Sequence, residues 1–206
     1  MVRYLILVIF LLAGGCAGHN QEQAEVTTGS PVVYIHPMTT DLSKASVVIL
    51  PFQMPEGIDI RQGENVAALF QDVLLGKQAF LLVKLAKNHY GSLEEARRLG
   101  KEAGVDFVLA GQVHTLLSGT SLGGGRVDLA VRVIDVAGGD TVWYIQQALD
   151  QKMNHPDVSF LHRLGSIFSV PPVRPSEGAP VAVNMLAHVA LDMADVMAGA
   201  RSVAKM

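Results

Sequence analysis

The stretch Ala103-Gly104-Val105-Asp106-Phe107-Val108-Leu109-Ala110-Gly111-Gln112-Val113 decides the fold. Its first glycine stops a helical pattern, and an apolar run of strand character follows with almost no linker. Upstream, Ser92-Leu93-Glu94-Glu95 is a capping box: the Ser92 hydroxyl accepts from the Glu95 amide while the Glu95 carboxylate reaches back. The helix it starts places Ala96, Leu99 and Ala103 on one face. Glu94 and Glu95 ahead of Arg97, Arg98 and Lys101 suit the helix dipole, and these charges read as a solvated face.

Working outward, Phe80 to Leu85 has strand character, although an apolar run this short also fits an extended helix. Before it, Val66, Leu69, Phe70, Val73 and Leu74 fall at helical spacing up to about Gly76. Ser46-Val47-Val48-Ile49-Leu50-Pro51-Phe52 is rich in β-branched residues and closed by proline, as a buried strand would be. Downstream, Arg126-Val127-Asp128-Leu129-Ala130-Val131-Arg132-Val133 alternates strictly, which predicts a half-solvated antiparallel strand. Asp135 to Asp140 supplies a turn and Thr141 to Leu149 the returning partner. The order is βαβαβββ. It predicts an α/β fold, a mixed sheet of about five strands packed with helices, spanning residues 31–149.

Residues 150–180 differ. Pro156, Pro171, Pro172, Pro175 and Pro180 exclude one regular element and mark an insert. Within it Phe160, Leu161, Leu164, Ile167 and Phe168 are spaced like a short amphipathic helix. Residues 181–206 then form a C-terminal helix packing on the core, with Val183, Leu186, Ala187, Ala190, Met193, Ala194 and Met197 as its apolar stripe.

Composition narrows the function classes. Of 206 residues 50% are apolar and 17% charged, with net charge -3, so a disordered tail protein is excluded. One cysteine cannot staple a disulfide scaffold, and near-neutral charge argues against a nucleic-acid partner. That cysteine is Cys16. It follows a positive end at Arg3, an uncharged stretch from Tyr4 to Leu12, and Ala13-Gly14-Gly15. These features make residues 1–15 a signal peptide, too short to span a bilayer requirement of roughly 20 residues. An ordinary cleaved signal or a short membrane helix with an incidental cysteine is the competing reading.

Candidate chemistry is sparse. The histidines His19, His36, His89, His114, His155, His162 and His188 form no i, i+4 pair, so a metal site has no local support. Gly119-Thr120-Ser121-Leu122-Gly123-Gly124-Gly125-Arg126 lacks the lysine of a phosphate loop and reads as a hairpin loop. Asp128, Asp135 and Asp140 read as turn and strand-face residues. No catalytic set and no cofactor site is expected, so the chain reads as a non-enzyme. If residues 141–149 form a strand, one of Trp143 and Tyr144 must leave the core. Trp143 packs under a helix, or these aromatics, with Phe160 and Phe168, contact membrane or a partner.

Two resemblances add to this reading. Gly14-Gly15-Cys16 resembles the lipobox of bacterial lipoproteins, with Ala13 in place of the usual large aliphatic residue three before the cysteine. It implies cleavage before Cys16, lipidation of that residue, and a mature chain of 191 residues. Residues 16–30 then form the lipidated cysteine and a polar tether. Ala17 in place of an inner-membrane Asp signal implies the outer membrane, at its periplasmic face. Several acyl chains on one residue anchor stably, at about 0.8 kcal/mol per buried methylene.

The patches Val47 to Phe52, Ala96 to Gly100 with Ala103 to Val113, and Val133 to Val136 with Gly139 to Trp143 are similar to the CsgG and TolB amino-terminal-like domains and to the PelC-type polysaccharide export lipoproteins. That resemblance implies a non-enzymatic envelope protein, often ring-forming, that assists export or assembly through protein partners. The 150–180 insert departs from the pattern. A second expectation is a regulatory lipoprotein that binds and activates a cell-wall synthase. Its reach is the difficulty, because the eleven residues Gly18 to Thr28 extend only about 36 Å. A hydrolase is the third.

Overall fold

The computed structural model describes residues 26–35, 41–119, 124–152 and 182–203. The elements run β1 (Val26–Thr28), β2 (Val32–Ile35), a 3-10 turn (Leu42–Lys44), β3 (Ser46–Ile49), α1 (Arg61–Gly76), β4 (Leu82–Leu85), α2 (Leu93–Ala103), β5 (Phe107–Leu117), β6 (Arg126–Asp135), β7 (Thr141–Gln151) and α3 (Ala182–Val203). The α/β class and the βαβαβββ order expected from the sequence are both present. The boundary between α2 and β5 is where the sequence places it: Ser92 Oγ accepts from the Glu95 amide at 3.2 Å, and Gly104 takes the left-handed conformation at φ 62°.

The sheet is mixed, in the order β1-β7-β6-β5-β3-β4, with β2 also on β7. It has seven strands against about five expected, because both β1 and β2 run antiparallel along the outer edge of β7. Val26, Thr27 and Thr28 pair with Gln151, Asp150 and Leu149, so this end of the expected tether is strand. Its β-branched residues suit a pleat, and the free backbone groups of β7 supply the partners. Gly29, Ser30 and Pro31 form the irregularity between the two strands, where a proline on an edge costs no ladder bond.

β3, β4 and β5 are parallel, and β3 lies between the other two. The chain therefore crosses from β3 outward to β4 and back over β3 to β5. Both crossovers stay right-handed only if their helices lie on opposite faces. The two separate cores show this. On one face Val47, Ile49, Leu109, Val131, Val133 and Ile145 pack against Phe70 and Leu74 of α1 and Met185, Val189 and Met193 of α3. On the other, Val48, Leu50, Val108, Ala110 and Ile134 pack beneath Ala96 and Leu99 of α2. Each fully buried branched side chain contributes about 1.5–3 kcal/mol. Gly100 lets α2 approach this closely: a Cβ there would lie 2.3 Å from a Val108 methyl.

Several expectations change in detail. The buried stripe of α3 runs through Met185, Val189, Met193 and Met197, whereas Val183 is 62% exposed. Two residues of helix turn the chain about 200°, which puts Val183 opposite Met185. Arg97 does not belong to a solvated face. It donates to the carbonyls of Val136 at 2.9 Å and Ala137 at 2.6 Å, pinning the β6–β7 turn to α2. β7 continues to Gln151, so the sheet takes in the first two residues assigned to the insert. The helix expected within 158–170, Phe160 and Phe168 lie outside the described residues, as does Cys16.

Candidate functional site

β3 and β4 hand the chain to helices on opposite faces, so the loops that follow them diverge. Open α/β sheets place ligands in such a crevice, outside the carboxyl ends of the strands. A cleft of about 280 Å³ lies there. The loop after β3 contributes Gln53, which bridges Gln112 in parallel, and the loop after β4 contributes Tyr90, Gly91 and Ser92. Ala110 to Gln112 and His114 of β5, Ala130 to Arg132 of β6, and Tyr144 of β7 complete the wall. Strand alternation explains this set. Leu129, Val131 and Val133 face the α1/α3 core, so Ala130 and Arg132 must face the α2 side, where α2 packs over β3, β5 and the Ile134 end of β6.

Gly111 is the pivot of the cleft. Its missing Cβ makes room for the Phe52 ring, which would otherwise lie 2.2 Å away. Its carbonyl accepts from the Tyr90 hydroxyl at 2.8 Å and from the Gln53 amide at 2.9 Å. The Gln53 side chain donates through Nε2 to the Tyr90 carbonyl at 3.2 Å, which ties the two loops together. Burial pushes the Tyr90 hydroxyl up to about 12, against the opposing pull of the Arg132 charge, so it remains a neutral donor at ordinary pH.

The electrostatics are one-sided. Asp and Glu are absent from the described lining, which carries Arg132 and His114. The Arg132 guanidinium lies over the Tyr144 ring, 5.2 Å from its centroid, and donates through Nη1 to Thr141 Oγ1 at 3.4 Å. Among the described residues it forms no ion pair. Two carboxylates on the elements that form the cleft are engaged elsewhere. Glu95 is engaged by the Gly91 amide at 2.8 Å and by Arg98, and Asp128 accepts from Gln146 at 3.2 Å.

Of the aromatics singled out from the sequence, Trp143 is 1% exposed in the α1/α3 core and offers no surface to a membrane or partner. The pleat turns its neighbour outward, and Tyr144 lines the cleft. His114 is also in the cleft, whereas His89 faces Glu64 at 3.5 Å and His188 sits exposed on α3. β5 and β6 pair antiparallel, as strands joined by a hairpin loop should, and residues 120–123 of that stretch lie outside the described residues. Asp135 and Asp140 sit together beside Gly138 in the β6–β7 turn, where Asp135 accepts from the Gly138 amide at 2.5 Å, and Asp128 lies apart on β6. Sequence reasoning passed over Gln53, Tyr90, Gln112 and Arg132 as site residues. Only the outward position of Arg132 in the alternating strand signalled any of them.

Comparison with known proteins adds distant likenesses. No protein-family model matches the chain, and no curated protein sequence does. Among solved structures, the PelC dodecamer from Paraburkholderia phytofirmans is similar at 16% identity, over 85% of this chain and 96% of that one, with TM-score 0.48. Lipoprotein GNA1162 from Neisseria meningitidis is similar at 16% identity over 59% of this chain and 91% of its own, with TM-score 0.40. The LpoB C-terminal domain from Salmonella enterica gives 15% identity, 51% and 83% coverage, and TM-score 0.38. No helix among the described residues is long and apolar enough to cross a membrane.

Proposed function

We propose that this chain is a non-enzymatic lipoprotein, anchored through Cys16 at the periplasmic face of the outer membrane, that serves as a scaffold or accessory subunit of an export or envelope-assembly machine. Its CsgG- and TolB-like core would assemble with copies of itself into a ring. The lipobox-like Gly14-Gly15-Cys16 and the superfamily-like patches from Val47 to Trp143 support the anchor and the class.

The observation that carries the assembly is the pair of bare apolar edges. At one end of the sheet Val32, Tyr34 and Ile35 of β2 are 63%, 51% and 42% exposed. At the other, Leu81, Leu82 and Leu85 on and beside β4 are 74%, 46% and 40% exposed. Among the described residues no strand pairs with the outer side of either, although the Val83 carbonyl of β4 accepts from Gln71 Nε2 at 3.3 Å. An exposed, apolar edge strand is a template for another chain. β2 runs opposite to β7, which runs in the same direction as β4, so the next copy's β4 would meet β2 antiparallel. A head-to-tail contact of this kind closes into a ring when its rotation allows.

A regulator reaching across to a cell-wall synthase fits less well. With β1 starting at Val26, only the eight residues Gly18 to Glu25 precede the sheet, about 26 Å when fully extended. Light scattering of the purified full chain tests the assembly: an oligomer that Tyr34→Lys converts to monomer is expected. A monomer at every micromolar concentration would remove the ring.

A further inference from the structure

We infer that the cleft between the β3 and β4 loops binds a small organic carboxylate, gripped by the Arg132 guanidinium. The site lies on the sheet face and not on its edges, so its occupancy and the assembly stand or fall separately.

Three observations converge. First, a cation faces an acid-free wall: Arg132 is half-buried, forms no ion pair among the described residues, and His114 is the other ionisable group of basic character in the lining. A half-buried guanidinium without an anion keeps unmet demand for charge-assisted hydrogen bonds, which are the strong ones. Second, Arg132 is held in place before any ligand arrives. The Tyr144 ring supports its face and Thr141 takes one Nη1 bond. Its other N–H groups meet no acceptor among the described residues, and they form a planar fork that matches a carboxylate bidentately. Glu95 of α2 and Asp128 of β6 are engaged by Gly91, Arg98 and Gln146, and no carboxylate among the described residues pairs with the fork.

Third, the cleft has an apolar body behind the charge. Leu93, Ala110, Ala130 and the Tyr90 ring line a volume of about 280 Å³, enough for one ring-sized group and too small for a longer ligand to enter whole. Gln53 and Gln112 add amides at the rim, and the exposed Gln112 side chain has no hydrogen-bond partner among the described residues and can turn toward a second polar group. A bare inorganic anion would satisfy Arg132 and leave the apolar wall wet. A neutral ring would cover the wall and leave Arg132 unpaired. The combination selects a carboxylate carried on a compact apolar or ring body.

Equilibrium dialysis of the purified full chain against radiolabelled benzoate tests this, with benzamide and inorganic phosphate as competitors. Benzamide has the same shape without the charge, and phosphate has the charge without the body. One saturable benzoate site per chain is expected, with both competitors at least tenfold weaker. Arg132→Gln should weaken benzoate at least tenfold, and Arg132→Lys should recover part of that loss as a point charge. The comparison of the three ligands on the unaltered chain needs no variant to fold. Absent benzoate binding, benzamide or phosphate equal to benzoate, or benzoate binding unchanged in Arg132→Gln would each overturn the assignment.

Discussion

Replacing Gly111 by alanine tests the packing on which the cleft rests. The added Cβ would lie 2.2, 2.4 and 2.4 Å from three atoms of the Phe52 ring. Ordinary contact begins near 3.4 Å, so the ring would have to retreat by about 1 Å. It has nowhere to go: Phe52 is 0% exposed, and the Phe70 ring sits 4.8 Å away, centroid to centroid. Overpacking of this kind costs about 1–3 kcal/mol, and a collision along one whole edge of a locked ring belongs at the upper end. Alanine also restricts the unfolded chain and fits an extended strand, which returns about 0.5–1 kcal/mol. The net expectation is a loss of about 2 kcal/mol, or about 4–8 °C in Tm for a domain of this size.

Thermal denaturation followed by circular dichroism reads that shift. Phe52→Leu in the same chain removes the ring edge, so the double variant should be more stable than the two single losses summed, by at least 1 kcal/mol of coupling. A Gly111→Ala chain as stable as the parent, or additive behaviour with Phe52→Leu, would refute the close packing of Phe52 on Gly111.

Two further outcomes follow from other parts of the chain. Asp106 Oδ2 accepts from the Ser46 amide at 2.8 Å and the Ser46 hydroxyl at 2.7 Å, which clamps the starts of β3 and β5 together. The Ser46 amide, then its hydroxyl, hold the Asp106 carboxyl below its ordinary 3.8. A lowered native value means the stabilisation is complete above pH 3.8 and is lost as pH falls through that native value. Asp106→Ala should therefore cost about 1 kcal/mol at pH 7 in a denaturant titration, and the difference should disappear in strong acid; a difference that persists undiminished at pH 2 would contradict it. In the cell envelope, incorporation of radioactive palmitate should vanish in Cys16→Ser, and incorporation that survives the substitution would remove the anchor.

How much was legible in the sequence depended on whether the signal was local. Ser92 with Glu95, and Gly104 before a β-branched run, report their own backbone geometry, so the α2–β5 junction could be placed to the residue. The alternation from Val127 to Val133 named the core face of β6, and the same pattern put Arg132 on the other face. What stayed hidden depends on contacts between distant segments. Nothing in Val32-Val33-Tyr34-Ile35 says that it lies along β7, because pairing is set by an edge formed more than a hundred residues later. Arg97 looked like one charge among several on a helix, since its carbonyl partners Val136 and Ala137 are supplied by a distant turn. The cleft was hidden for the same reason: Gln53, Tyr90 and Arg132 converge only because β3 and β4 send their helices to opposite faces. Trp143 and Tyr144 were correctly seen as pointing apart, but which one entered the core required the register with β6.

The proposed ring requires β2 of one copy to meet β4 of the next. Tyr34→Cys and Leu82→Cys, placed singly and together in a Cys16→Ser background, test it by mild oxidation and non-reducing electrophoresis. Bridging needs Cα atoms within about 7 Å, so it reports direct edge-to-edge contact. Neither single variant should crosslink, and the double variant should give a ladder of covalent multimers. Crosslinked dimers from either single variant, or no ladder from the double one, would contradict it.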